Sequence, residues 1–350
     1  MDDKAADLSK VAPDCQGQEA NEPSPAAPLL GNELNTFVRH MEALASSTPL
    51  ALIMTHVAHQ TAEKRYDEIL EKHATLTEET ESKKIYKVDP SIRHEVHRAK
   101  RRFDNAGDAC TILPLTFIVS LVSQFDFFLG RLLRCLFYWH PELLNASEKQ
   151  LTFGQLLQFG SMDAAKEYIL EKEIESVLRL SHVDQFVWLE NKFKVPLRKD
   201  LTIWPTFVEL TERRNLFVHT NGVVTTQYLT VCRAHNVNLS GIKAGDVLSA
   251  PPEYFSQAHR CMFEIGVKLG QVLWRKLRAD DIVEADNSLI EITFDLLVAE
   301  KYQLVTIFGD FARKTLKKWS DDQSRRIIII NRAIAYKWMG DDKTCLKIIS

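Results

Sequence analysis

Residues 112–139, ILPLTFIVSLVSQFDFFLGRLLRCLFYW, carry Phe117, Leu121, Phe125, Phe128, Leu132 and Leu136 at steps of three and four. That is the period of one face of an α-helix, and such an apolar face must be covered by other elements. The stretch is the most apolar in the chain. Asp126, Arg131 and Arg134 interrupt it, and its uncharged part stops well short of the ~20 residues that span a membrane. It predicts a buried helix in a helical core, ended by Pro141, and no membrane association.

The rest of the chain reads in the same helical period. Asn32 is placed to cap a helix bearing Leu34, Phe37, Val38, Met41 and Leu44. Thr48-Pro49 then predicts a restart, with a second helix running to about His73. TLTEETESKK reads as a polar, solvated connection. Asp89-Pro90 opens a helix through IRHEVHRAKRRFD, and another is predicted from near Asp108 to Trp139. Shorter helices are predicted near 152–159, 162–180 and 183–193, the last behind a capping-box pattern at Ser181 and Asp184. A further helix from about Leu201 ends near His219, with Asn221-Gly222 as its stop. QYLTVC and GDVLSA read as two short strands. A long helix follows from about Pro252 to Leu277.

Length and composition bound the class. A chain of 350 residues is long for one core, which predicts two compact units. The net charge of −3 gives no global pull toward nucleic acid, so any RNA site has to be locally basic. Six scattered cysteines with no C-x-x-C pair predict a reducing, cytoplasmic setting without disulfides or a zinc site. His56 with His59, and His94 with His97, have a spacing able to bind metal. Neither has an accompanying carboxylate or thiolate set, so no metal and no cofactor are expected. HRAKRR, residues 97–102, is either a solvated helix face or a phosphate-contacting patch.

TERRNLFVHTNG, residues 211–222, gathers Arg213, Arg214, Asn215 and His219 at the end of an apolar helix. Arg214 and His219 are about 140° apart round the axis, while Asn215 and His219 share a face. A guanidinium and an imidazole suit phosphodiester chemistry in which RNA's own 2′-OH attacks the adjacent phosphate. The competing reading is a helix C-terminus, where cations interact favourably with the helix dipole.

R-N-L-F-V-H resembles the signature of the HEPN (higher eukaryotes and prokaryotes nucleotide-binding) proteins: an Arg and a His separated by four residues, with a polar residue directly after the Arg. SLVSQFDFFLGRLLRCLF resembles the first core helix of such a module, and the segment from Trp188 to Val224 resembles its signature-bearing region. The likeness covers about 108–278. It implies an all-α bundle that forms a homodimer, with signature helices facing across a cleft. It also implies metal-independent RNA cleavage in a bacterial toxin, antiphage or stress system. On that reading His219 transfers protons, Arg214 stabilises the transition state and Asn215 positions the phosphate or the His. Arg213 is an extra basic residue that could hold RNA, and Asp126 is a candidate for orienting the arginine.

The sequence changes character at RADDIVEADN. INRAIAYKWMGDDKTCLKII resembles the first helix and turn of a tetratricopeptide repeat, with LLVAEKYQLV as an earlier turn that aligns Ala299 with Gly340. The expected organisation is a disordered tail over 1–31, an N-terminal helical region over 32–107, the HEPN-like bundle over 108–278 and tetratricopeptide-like helix pairs over 287–350. The fold class is all-α with a small two-stranded insertion. The alternative to a nuclease is a non-catalytic dimerising adaptor or RNA binder, recruiting a protein partner through residues 289–350.

Overall fold

Two helices far longer than the sequence predicts organise the chain. The computed structural model describes residues 29–80, 83–146 and 151–349. The tail predicted over 1–31 lies outside these but for its last residues, which already belong to a helix. α1 (Leu30–His73) leads through a hairpin of β1 (Ala74–Thr80) and β2 (Lys83–Val88) into α2 (Arg93–Trp139). Then come α3 (Phe153–Gln158), α4 (Met162–Leu178), α5 (His182–Phe193), α6 (Trp204–Thr220), α7 (Thr226–Ala234) and α8 (Pro252–Leu277). α9 (Ile282–Val298), α10 (Tyr302–Lys314), α11 (Asp322–Trp338) and α12 (Asp342–Ile349) complete the order. The class is all-α with one small antiparallel sheet.

α1 starts on Leu29 rather than Asn32, without a side-chain cap, and passes through Pro49 without restarting. α2 likewise continues through Asn105–Asp108 and Pro114 as one 47-residue helix, about 70 Å long. A proline removes one helical donor and crowds the carbonyl four residues back. The helices persist because each packs along the other in antiparallel fashion. Phe37 stacks on Phe128 at 4.7 Å between ring centroids, His59 stacks on Phe103 at 5.1 Å, and Cys110 Sγ lies 3.7 Å from the Thr55 carbonyl oxygen. Gly107, between the two helices the sequence predicted, is where the His59 ring approaches: a methyl there would meet it at 3.4 Å.

Beyond Met41, α1 buries only Thr48 and Leu70; before Ile118, α2 buries only Ala99. Their outer halves therefore form a two-helix arm, closed at its tip by the sheet. This sheet occupies the stretch read as a solvated connection, and the predicted strands lie elsewhere. QYLTVC is helical within α7, whose Thr225 cap accepts from Tyr228 N. GDVLSA is extended and makes a lone bridge, Val223 to Val247. Among β1 and β2, Leu76 faces Tyr86, and Lys84 pairs with Glu79 at 3.0 Å. Among the described residues nothing packs over this hairpin strongly enough to impose an apolar–polar alternation, so its sequence carries a weak strand signal.

The helix over Pro90–Trp139 is long and apolar enough to cross a membrane, with 33% of its most apolar window buried; its Ile118, Leu121, Phe125, Leu129 and Leu133 lie in the core. α8 packs on both long helices. The two compact units expected from length are not separated by any gap: one hydrophobic core runs from Leu30 of α1 to Ala335 of α11. At the predicted seam, RADDIVEADN, Arg275 and Asp286 form a buried ion pair at 2.6 Å. Ser320 donates to Asp286 through both its backbone N–H (2.8 Å) and its hydroxyl (2.7 Å).

The tail is two helical hairpins, α9–α10 and α11–α12, with matching turns. Lys301 N bonds Leu296 O as Asp341 N bonds Tyr336 O. Glu300 (φ 58°) and Gly340 (φ 81°) take the same left-handed conformation. Glu300, not Ala299, is thus the counterpart of Gly340.

Candidate functional site

α6 buries Trp204, Phe207, Val208, Leu210 and Thr211 on its inner face. Its end is fixed by backbone geometry. Asn221 adopts the left-handed conformation at φ 50°, Gly222 follows at φ 85°, and Gly222 N bonds Leu216 O at 3.1 Å. A Cβ on Gly222 would lie 2.6 Å from Leu248 O, so only glycine fits. This stop leaves Val218 and His219 exposed on the last turn.

The two neighbouring arginines serve different ends. Arg213 turns inward. Its Nε donates to Glu209 at 2.6 Å, its Nη1 to Ser249 O at 3.2 Å, and its guanidinium lies 4.0 Å from the Tyr254 ring centroid. The Tyr228 and Tyr254 hydroxyls also donate to Glu209, at 2.7 and 2.8 Å. Arg213 therefore ties α6 to α7 and α8 rather than presenting a free cation to RNA, as the sequence had suggested.

Arg214 reaches the other way, to Asp126 of α2. Its Nη2 lies 3.0 Å from Asp126 Oδ2. Asp126 Oδ1 lies 2.8 Å from His182 Nε2, at the first turn of α5. The His182 ring is buried between Phe125 and Phe207, at centroid distances of 6.2 and 5.9 Å. Asp126 is thus held by His182 while it holds Arg214. Glu212 stands nearby. Burial raises its carboxyl pKa, against the lowering influence of His182 and Arg214. Arg214 Nε is buried without a partner among the described residues.

His219 sits about 7.5 Å further along α6 than Arg214. Neither His219 nor the half-buried Asn215 makes a side-chain hydrogen bond among the described residues. Beside Asp126 opens a surface groove of about 450 Å³, lined by Phe127, Arg131, Arg134, Glu171, Glu175 and Arg179 among others. Its arginines are already paired: Arg131 with Glu33 at 2.6 Å, Arg134 with Glu167 and Glu171, and Arg179 with Glu175. Arg214 meets this groove only through Asp126, which it holds at the groove's edge.

No protein-family model, curated protein or solved structure matches the chain. The functional reading therefore rests on these side chains. Of the candidates, the structure brings Arg214 and Asp126 together, leaves Asn215 and His219 on the open face, and takes Arg213 away. Sequence reading missed His182 and Glu212. Ser181 does mark His182 as a first-turn residue, but nothing local places it against a carboxylate 56 residues earlier. Of the histidine pairs, His59 stacks inward on Phe103 while His56 contacts Gln60 at 3.1 Å, and His94 and His97 line one shallow groove.

Proposed function

We propose that this chain is a metal-independent endoribonuclease, working as a homodimer in a toxin, antiphage or stress setting as the HEPN resemblance implies. The observation that carries the reading is the Arg214–Asp126 pair, with His219 exposed about 7.5 Å further along the same helix. A buried histidine and a buried aromatic wall fix the carboxylate, so the guanidinium is oriented before any ligand arrives. Only one of its N–H groups is committed to Asp126, which leaves others for a phosphate oxygen.

The chemistry needs no group beyond these. The 2′-oxygen bonds to phosphorus as its proton leaves, the bond from phosphorus to the 5′-oxygen breaks, and that oxygen takes up a proton. The products are a 2′,3′-cyclic phosphate and a 5′-hydroxyl. His219 is the proton carrier, Arg214 offsets charge on the phosphoryl oxygens, and Asn215, one turn before His219, holds the phosphate or the imidazole. One arginine and one histidine on different sides of a helix make half a site. A two-fold partner apposing α6 doubles both. Phe127 and Val218, adjacent to Asp126 and His219, are 52% and 50% exposed and would be covered by such an interface.

The test is a cleavage assay on total RNA in EDTA. Wild type should yield 2′,3′-cyclic phosphate ends, and His219→Ala and Arg214→Ala should each lose them by about 100-fold or more while retaining fold and dimer. Cleavage at the wild-type rate in both variants would sink the proposal. The adaptor reading draws on a separate observation: Trp338, Leu346 and Ile349 of α11–α12 are 55%, 68% and 70% exposed. Because α9 to α11 share the main core, Trp338→Ser with Leu346→Ser tests it more cleanly than deletion. Loss of a captured protein partner, with RNA left uncut by wild type, would favour it.

A further inference from the structure

On the arm, the face of α2 turned away from α1 carries His94, His97, Arg98, Arg101, Arg102 and Asn105. These side chains line one shallow groove of about 290 Å³. Their spacing is three and four, so they form one stripe. The five basic side chains are all exposed. Arg98 lies 3.1 Å from His94, and none of the five has a carboxylate partner among the described residues. The nearest candidates are Glu95, off the stripe, and Asp104, which Lys100 already holds at 2.9 Å. Elsewhere the chain pairs many of its arginines, as with Arg131, Arg198, Arg213 and Arg326. Here, in a chain of net charge −3, it leaves like charges on successive turns. Such charges repel, and a bound polyanion relieves the repulsion.

We propose that this stripe binds the phosphate backbone of a structured RNA, which the Arg214–His219 site then cuts. That the ligand is also the substrate rests on the nuclease reading above. On a regular helix Arg101 and Asp126, 25 positions apart, differ by only about 20° round the axis, so the stripe and the site lie on one side of α2. They are separated by about 36 to 48 Å along it. A nucleic acid touching both must hold its shape over that distance, which takes on the order of a dozen base pairs or more. The stripe has no exposed aromatic ring on which unstacked bases could lie: Phe103 is turned into the seam with His59 and Tyr66. That composition tracks a backbone and does not favour single strands. A lipid surface fits less well, because an interfacial helix needs a broad apolar face beside the basic one: the arm's exposed apolar run, Leu50, Ile53, Met54 and Val57, is on α1, and the half of α2 that bears the stripe exposes only Ile112 among its large apolar residues.

The experiment uses the full chain in a His219→Ala background, so that RNA stays intact. Binding is read by fluorescence anisotropy with an RNA hairpin of about 20 base pairs and a single strand of equal length. Arg98→Gln/Arg101→Gln/Arg102→Gln should weaken hairpin binding about ten-fold or more at ~100 mM salt and lower the salt slope by about 2 to 3. Arg101→Gln alone should lower the slope by about 1, which keeps the test open should the triple variant melt early. The hairpin should bind more tightly than the single strand. Unchanged affinity and slope would overturn the proposal, as would stripe-dependent binding to phosphatidylserine vesicles with none to RNA. The two readings fail separately. Cleavage by the wild-type chain with stripe-independent binding sinks the stripe alone. Stripe-dependent binding with no products from the wild-type chain sinks the nuclease alone.

Discussion

Arg213 and Arg214 are neighbours in sequence and point about 100° apart on their helix. That single step decides their fates: one completes a buried network round Glu209, the other reaches a carboxylate at the surface. His259 shows the same dependence on place. It is buried on α8 with Nε2 3.0 Å from Met41 O. Burial, with Lys301 nearby, pushes its pKa from 6.5 down to about 4, although the bond to Met41 works the other way. Above pH 6.5 the imidazole is neutral in both folded and unfolded chains, and the buried neutral form is stable. Between 6.5 and 4 only the unfolded chain binds the proton, so stability falls as pH falls through that window. The loss from this group is about 3 kcal/mol. Denaturant melts from pH 7 to 4 should show a steeper fall for wild type than for His259→Gln; parallel curves would rule this assignment out.

Elements here are shaped by close approach more than by local preference. Phe37 of α1 lies over Gly266 of α8, where a Cβ would come within 2.3 Å of its ring. On helix propensity alone, Gly266→Ala stabilises by about 1 kcal/mol. The overlap reverses the sign, and a net loss of about 1–3 kcal/mol is expected, because a packed aromatic core cannot yield over such a distance without strain. A urea midpoint that rises in this variant would show that Phe37 moves aside freely. At Gly107 an added Cβ would stand at ordinary van der Waals distance from the His59 ring, 3.4 Å, and packing of this kind along the arm carries α1 and α2 past residues that read as breaks.

In the whole molecule, one core joins the N-terminal helix, the α6 site and the tail, while the arm stands out from it. Of the five cysteines described, Cys135 and Cys261 lie in that core and Cys232 in a small separate cluster with Leu216, Val224, Tyr228 and Leu229. Burial pushes the Cys135 and Cys232 thiols up to about 12 and the Cys261 thiol well above its usual value, which leaves them unreactive. The proposed cleft requires a second copy. Phe127→Glu with Val218→Glu should convert a dimer to a monomer by light scattering and abolish RNA cleavage together. A variant that stays dimeric, or a monomer that cleaves at full rate, would refute a cleft shared between copies.

The sequence by itself determined the helical class, the helix pairs of the tail, most caps and stops, and the α6 end with its Arg, Asn and His. These are local matters: a period of 3.6, a Ser181 cap, a left-handed Asn221-Gly222 stop. It misplaced the sheet, because an uncovered hairpin has no apolar alternation to display, and it broke α1 and α2 at residues whose cost is offset by a neighbouring helix. Only the tertiary structure decided which arginine faces the surface and what holds it. Asp126, His182 and Arg214 are separated by 56 and 88 positions from Asp126, and contacts at such distances are set by how α2, α5 and α6 pack, which no local pattern encodes.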